Sequence, residues 1–93
     1  MERRMVASSE QVSSDLGGEV VILNVRKGVY CGLCGVGAHV WRLLQEPRRL
    51  ADVRDALLQE YEVSPQRCEE ELVALVRDLA REGLVECADG TAR

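Results

Sequence analysis

Between Val20 and Leu44 the apolar positions change period. From Val20 to Val25 they alternate: Val21, Leu23 and Val25 fall on one side of an extended chain, and Val20, Ile22 and Asn24 on the other. Arg26-Lys27-Gly28 reads as a turn. Val29, Cys31 and Leu33 continue one face of a second strand, after which Val36, Val40, Leu43 and Leu44 fall on one stripe of a helix. The spacing predicts a hairpin that feeds directly into helices. Unless a later segment covers it, the second strand lies at the sheet edge with unpaired N–H and C=O groups, which is either a hazard or a binding site.

Upstream, residues 4–15 alternate weakly around Met5, Val6 and Val12, interrupted by Ser8-Ser9 and Ser13-Ser14, and Asp15-Leu16-Gly17-Gly18 reads as a turn. One or two short strands fit there, which gives an antiparallel sheet of about three strands that needs a helical layer for stability. Three helices supply it. The first is expected from about Val36 to Gln45, ended by Glu46-Pro47, because a residue before proline is pushed out of the α region. The second, roughly Leu50 to Tyr61, sets Leu50, Val53, Leu57 and Tyr61 on one face.

The third helix is the best specified. Ser64 is a good N-cap, Pro65 suits the first helical position, and Val63 is placed to staple onto Cys68. Gly83 suits the left-handed position after the helix, with Leu84 closing onto Leu79. On a helical wheel Cys68, Leu72, Leu75 and Leu79 form the core stripe, and Val73, Val76 and Ala80 widen the apolar arc. That surplus flank either packs under the sheet or lines an open groove. The fold class is α+β: a three-stranded antiparallel sheet packed on three helices, the layout of a winged helix-turn-helix.

Composition narrows the function. Ninety-three residues make a single domain, and a formal net charge of −4 argues against the broad basic surface selected by nucleic acids or anionic membranes. The third helix, which reads DNA in a winged helix, sets Arg67, Arg77 and Arg81 against Glu69, Glu70, Glu71, Asp78 and Glu82. Met1 to Met5 carries basic residues without an apolar run behind them, so neither a secretory signal nor a membrane span is expected, and the chain is placed in the cytoplasm with free thiols. Without any Phe, Trp41 is expected in a core of Leu, Val and Ala.

Candidate chemistry is sparse. Cys31-Gly32-Leu33-Cys34 has the C-x-x-C spacing of zinc knuckles and dithiol oxidoreductases. Cys68, Cys87 and His39 supply no second paired spacing, and the first cysteine sits in a hairpin strand rather than opening a helix. His39 has no Ser or Cys nucleophile placed to use it as a base. Glu69-Glu70-Glu71 and Asp52/Asp55 read as ordinary acids near helix N-termini. No catalytic residue, metal or cofactor is assigned.

Three spacings taken together resemble a known family: Gly28-Val29-Tyr30-x-x-Leu33-x-x-x-Gly37-x-x-Val40-Trp41-x-Leu43-Leu44; Leu50-x-x-Val53-x-x-x-Leu57-x-x-x-Tyr61-x-Val63; and Leu72-x-x-Leu75-x-x-x-Leu79-x-x-x-Gly83-Leu84. They resemble the PqqD-like proteins, the recognition elements for precursor peptides that are made ribosomally and then modified (RiPPs). The likeness covers about residues 5–86, the expected structured part of one domain over residues 1–93. It implies that the leader segment of a precursor peptide docks as a further strand beside Val29, Tyr30, Cys31, Gly32 and Leu33. It also implies a groove against the third helix, with Leu72, Val73, Val76, Arg77, Leu79 and Ala80. Cys34 stands where the family usually has an Asn or similar residue, and Cys31 where an aromatic often follows Tyr30; both departures point away from a metal site.

The spacing Val25-x-x-Gly28-x-Tyr30 and the free-standing length are most similar to the small leader-binding proteins of lasso-peptide biosynthesis. That resemblance implies a non-catalytic binder whose partners are a transglutaminase-like leader peptidase and then a cyclase, with no nucleic acid and no membrane. A peptide chaperone of the pyrroloquinoline-quinone type is the alternative, and a winged-helix DNA-binding regulator the further one.

Overall fold

The computed structural model describes residues 3–9 and 11–88. Its elements run β1 (Arg4–Ala7), β2 (Gln11–Asp15), β3 (Glu19–Asn24), β4 (Val29–Cys34), α1 (Val36–Leu43), β5 (Arg48–Arg49), α2 (Leu50–Glu60), α3 (Pro65–Arg81) and β6 (Val85–Cys87). The expected three-stranded sheet is β2-β3-β4, antiparallel throughout, with Val12 opposite Leu23 and Leu23 opposite Tyr30. A second small sheet, β5-β1-β6, was not expected from the sequence. In it Met5 faces Arg48 on one side and Cys87 on the other, so segments from the start, middle and end of the chain meet. The two strands fitted to residues 4–15 therefore belong to different sheets.

Alternation in β3 decides what the sheet buries. Val20, Ile22 and Asn24 turn inward onto the helices and are buried, whereas Val21 and Leu23 turn outward. The inward residues meet Ala38, Val40, Trp41 and Leu44 from α1 and its cap, Val53 and Leu57 from α2, Leu72, Val76 and Leu79 from α3, and Leu84 and Val85 beyond it. Trp41 is fully enclosed.

Helix α1 ends two residues before the expected Gln45. The Leu44 N–H donates to the carbonyls of both Val40 and Trp41, and the Gln45 N–H to that of Arg42, so the last turn tightens ahead of Glu46-Pro47. Its buried stripe is also rotated from the expected one. Ala38 and Trp41 go in, and Val36, in the opening turn, is 44% exposed.

Helix α3 begins as its sequence dictates. The Ser64 Oγ accepts from the Arg67 N–H at 3.2 Å and Pro65 opens the helix. At the far end Gly83 takes φ +76°, the Leu84 N–H donates to the Leu79 carbonyl at 2.9 Å, and the Gly83 N–H donates to that of Ala80 at 3.0 Å. These two bonds are the Schellman pair, and Leu84 and Leu79 are buried beneath them. The core stripe contains Val76, only 5% exposed, whereas Leu75 is partly open; the two exchange the places expected for them.

Candidate functional site

Strand β4 closes one side of its sheet and has no strand partner beyond it among the described residues. In an antiparallel ladder alternate residues direct their N–H and C=O groups away from the neighbour, so this edge presents free donors and acceptors. Its inward side chains, Cys31 and Leu33, are partly buried against the core. Its outward positions, Tyr30, Gly32 and Cys34, are exposed, Tyr30 by 74%.

One end of β4 is fixed to the C-terminal end of α3. Buried Asn24 donates from Nδ2 to the Glu82 carbonyl at 2.8 Å, and its Oδ1 accepts the N–H groups of Arg26 and Lys27, each at 3.0 Å. Lys27 Nζ donates to the Arg81 carbonyl at 3.2 Å. The other end of β4 leads into α1, whose first residues face the N-terminal half of α3 across a cavity of about 250 Å³. Strand and helix thus run in opposite directions.

The cavity is lined by Val36, Gly37 and Val40 of α1, by Leu57, Tyr61 and Val63, and by Cys68, Glu71, Leu72 and Leu75 of α3. Gly37 joins this opening to the edge strand: a Cβ there would lie 3.4 Å from Leu33 Cδ2, in ordinary contact with it. Two polar groups are already engaged. Glu71 accepts from Arg67 Nε at 3.0 Å, and the Tyr61 hydroxyl lies 3.4 Å from His39 Nδ1.

Two of the thiols are made less acidic by their surroundings. Burial pushes the Cys31 thiol up, and the Glu82 carboxylate adds to the effect; burial also pushes Cys68 up. Cys31 and Cys34 stand on opposite faces of β4, and all four cysteines are free. Among the described residues no three His, Cys, Asp or Glu side chains are grouped so as to hold a metal.

The residues expected to form the docking surface are thus divided. Val29, Tyr30, Cys31, Gly32 and Leu33 all lie on the edge strand. Val76 and Leu79, at 5% and 2% exposure, are core, and Leu72, 2% exposed, reaches the groove only as part of the cavity floor. Val73 and Arg77 share a shallow depression with Glu69, Glu70 and Ala74, made by α3 alone, on the flank where Glu69 pairs with Arg54 of α2. Ala80 is exposed.

The flank of α3 that turns toward β4 and α1 instead carries Glu71 and Leu75, with Glu82 beside Cys31. Sequence reasoning missed Leu75 as a surface residue, together with Val36, Gly37, Tyr61 and Val63. The wheel shows two apolar shoulders on α3, and only the positions of α1 and α2 decide which one stays open.

The family of coenzyme PQQ synthesis protein D (PqqD) matches residues 19–85. No curated protein is significantly similar to the chain. Among solved structures, TbiB1 in complex with the TbiA(beta) leader peptide is 35% identical, with a TM-score of 0.83 over 95% of this chain and 99% of that one. A lasso peptide synthetase B1 complexed with the leader peptide is 28% identical, with a TM-score of 0.78 over 88% of this chain and 96% of that one. With most of its length, including the edge strand and all three helices, inside the matched region, the chain belongs to the PqqD family.

Proposed function

We propose that this protein binds the leader segment of a ribosomal precursor peptide in lasso-peptide biosynthesis, without catalysing a reaction itself, and presents it to a transglutaminase-like leader peptidase and then a cyclase. The observation that carries the reading is a strand edge with no strand partner among the described residues, lying beside an open apolar cavity. Its likeness to two proteins solved with leader peptides supports it. The single domain expected over residues 1–93 then acts as a carrier in the cytoplasm; among the described residues no helix is long and apolar enough to cross a membrane.

In this mechanism a leader segment becomes a strand on β4. Each backbone hydrogen bond contributes about 0.5–1.5 kcal/mol net, against an ordering cost of about 2–5 kcal/mol or more. Edge pairing alone is therefore marginal and blind to sequence. Selectivity comes from apolar leader side chains that enter the groove, each contributing roughly 1.5–3 kcal/mol if fully buried. The receiving surface is Cys31 and Leu33 of β4, Val36 and Gly37 of α1, and Leu75 of α3, with Glu71 and Glu82 at its margins. Leu72 supports it from beneath. Val73, Arg77 and Ala80 lie off this surface.

Isothermal titration tests the proposal, using the synthetic TbiA(beta) leader and the leader of any precursor peptide found encoded beside this chain's own gene. Saturable one-to-one binding of the cognate leader that depends little on salt is the expected result. A folded protein that takes up neither peptide refutes it. A DNA-reading role is disfavoured by α3 itself, where Arg67 and Arg81 are each paired to an acid one turn away.

A further inference from the structure

The groove beside β4 carries a charge pattern as well as an apolar floor. At about 100° per residue, Glu71, Leu75, Asp78 and Glu82 fall within roughly 60° of one another on α3. Glu82, the C-cap, still follows the turn, because its N–H donates to the Asp78 carbonyl at 3.1 Å. Glu71 and Leu75 line the cavity, and the Glu82 carboxylate is near enough to Cys31 of β4 to oppose ionisation of its thiol. The stripe therefore faces the groove along its length, with exposed acids on either side of one half-buried leucine.

The cations of the same helix stand behind these acids. Arg67 pairs with Glu71 at 3.0 Å but does not line the cavity, and Arg81 approaches Asp78 only to 3.9 Å, from a position about 60° further round the helix. Glu82 has no ion pair among the described residues. Across the groove β4 has no charged side chain, and Lys27, in the turn before it, directs its ammonium to the Arg81 carbonyl at 3.2 Å. Both arginine pairs join exposed side chains, and such pairs exchange partners at little cost. The acids alone would be ordinary solvated side chains; the cavity between them and the strand edge opposite make them a selective rim.

Resting on the leader-binding reading, we propose that this groove selects a leader segment of the pattern basic-x-apolar-x-basic, its apolar side chain entering the cavity against Leu75 and its two cations reaching the acids on either side. The pitch of the two elements sets that spacing. Side chains on one face of an added strand recur about every 6.7 Å, while α3 advances about 1.5 Å per residue. Glu71 thus lies about 6 Å from Leu75 along the helix, close to one strand repeat. On the other side the next repeat falls between Asp78, about 4.5 Å from Leu75, and Glu82, about 10.5 Å from it. The pattern reads the same in both directions, so it holds whichever way the leader runs. Acids at the two outer positions meet carboxylates instead, so the rim rejects as well as attracts. Two such contacts leave the salt dependence slight beside that of a protein bound along a phosphate backbone.

The test uses the full-length chain and three fluorescent twelve-residue peptides that differ only at the centre: Lys-Thr-Leu-Thr-Lys, Gln-Thr-Leu-Thr-Gln and Glu-Thr-Leu-Thr-Glu. Anisotropy reads each affinity for wild type and for Glu71→Lys/Asp78→Lys/Glu82→Lys, with circular dichroism reporting whether the variant is folded. The lysine peptide is expected to bind wild type at least about tenfold tighter than the glutamate peptide, with glutamine between them, and the order to reverse in the variant. Three affinities within about twofold of one another on wild type overturn the proposal, and that comparison needs no variant. An order that persists in the folded variant overturns it too. So does a failure of all three peptides to bind a protein that takes up either leader in the titration above. If those leaders also fail to bind, the leader-binding reading falls, and this pattern with it.

Discussion

Replacing Leu75 with Asp separates groove from core. Leu75 is partly buried, lines the cavity and stands one turn from Glu71. In the free protein an aspartate there keeps its water, and the fold loses only part of the burial of one leucine, about 1 kcal/mol. A domain of this length has a stability on the order of 5–14 kcal/mol, so the variant stays folded. When an apolar leader side chain enters the cavity, the new carboxylate must be dehydrated next to Glu71, which costs several kcal/mol. Even about 2.8 kcal/mol weakens binding about a hundredfold. Leu75→Ala removes contact without adding charge and is expected to cost roughly 1–2 kcal/mol, or about five- to thirtyfold in Kd. Isothermal titration with the cognate leader, alongside thermal melts by circular dichroism, reads both effects. If Leu75→Asp is folded and binds within threefold of wild type, the α3 shoulder proposed here is not part of the docking surface.

Other outcomes follow from the same packing. Val76→Asp puts an unpaired carboxylate into the core at a site only 5% exposed, and the chain should unfold or lose more than about 15 °C in Tm, unlike Leu75→Asp. Gly83→Ala forces a Cβ to φ +76° and to within 2.7 Å of Asn24 Nδ2; strain of about 1–2 kcal/mol and a damaged hydrogen bond should lower Tm by about 10–20 °C. Asp15, bonded to Arg42, and Asp52, bonded to Arg49, are both more acidic than the usual 3.8, so the stability they lend is present above that value and is lost as pH falls below it through their lowered folded pKa values. Tm should be flat from pH 7 to 5 and fall below about pH 4, with a shallower fall in Asp15→Asn/Asp52→Asn. Cys31, its thiol pushed up by burial and by Glu82, should be alkylated by iodoacetamide more slowly than in the unfolded chain, and more slowly still with leader bound; mass spectrometry that finds no effect of leader argues against a strand over that edge.

Local patterns carried much of this fold. The hairpin was legible because Val20–Val25 and Val29–Leu33 alternate cleanly across a short turn, and α3 because Ser64-Pro65 and Gly83-Leu84 mark its ends chemically. Whatever depended on distant packing was not legible. The β5-β1-β6 sheet joins strands of two to four residues whose partners lie some forty residues or more away, and so short a pairing leaves almost no periodic trace. In α1 the expected stripe shifted, because Ala38 and Trp41 are the positions its neighbours enclose while Val36 emerges.

The candidate site divides along the same line. The β4 edge could be named from the sequence because strand order follows from a hairpin next to helices. The helical wall could not, since the wheel puts Leu75 in the core stripe and Val73 on the surplus flank, and only the Arg54–Glu69 pair and the placement of Val36 and Gly37 show which end of the apolar arc borders the cavity.

The Asn24 amide has a consequence beyond stability. A hairpin of alternating residues can slide by two positions and keep every greasy side chain on its proper side, so faces alone do not set alignment. Only one slide setting puts an amide beneath the Glu82 carbonyl; two steps one way bring Ile22, which has no donor, and two steps the other bring Arg26, whose charge would have to be buried there. The side chain works as the zero mark of a ruler. Any peptide laid along β4 inherits that calibration, so its place against α3 is measured from a single asparagine.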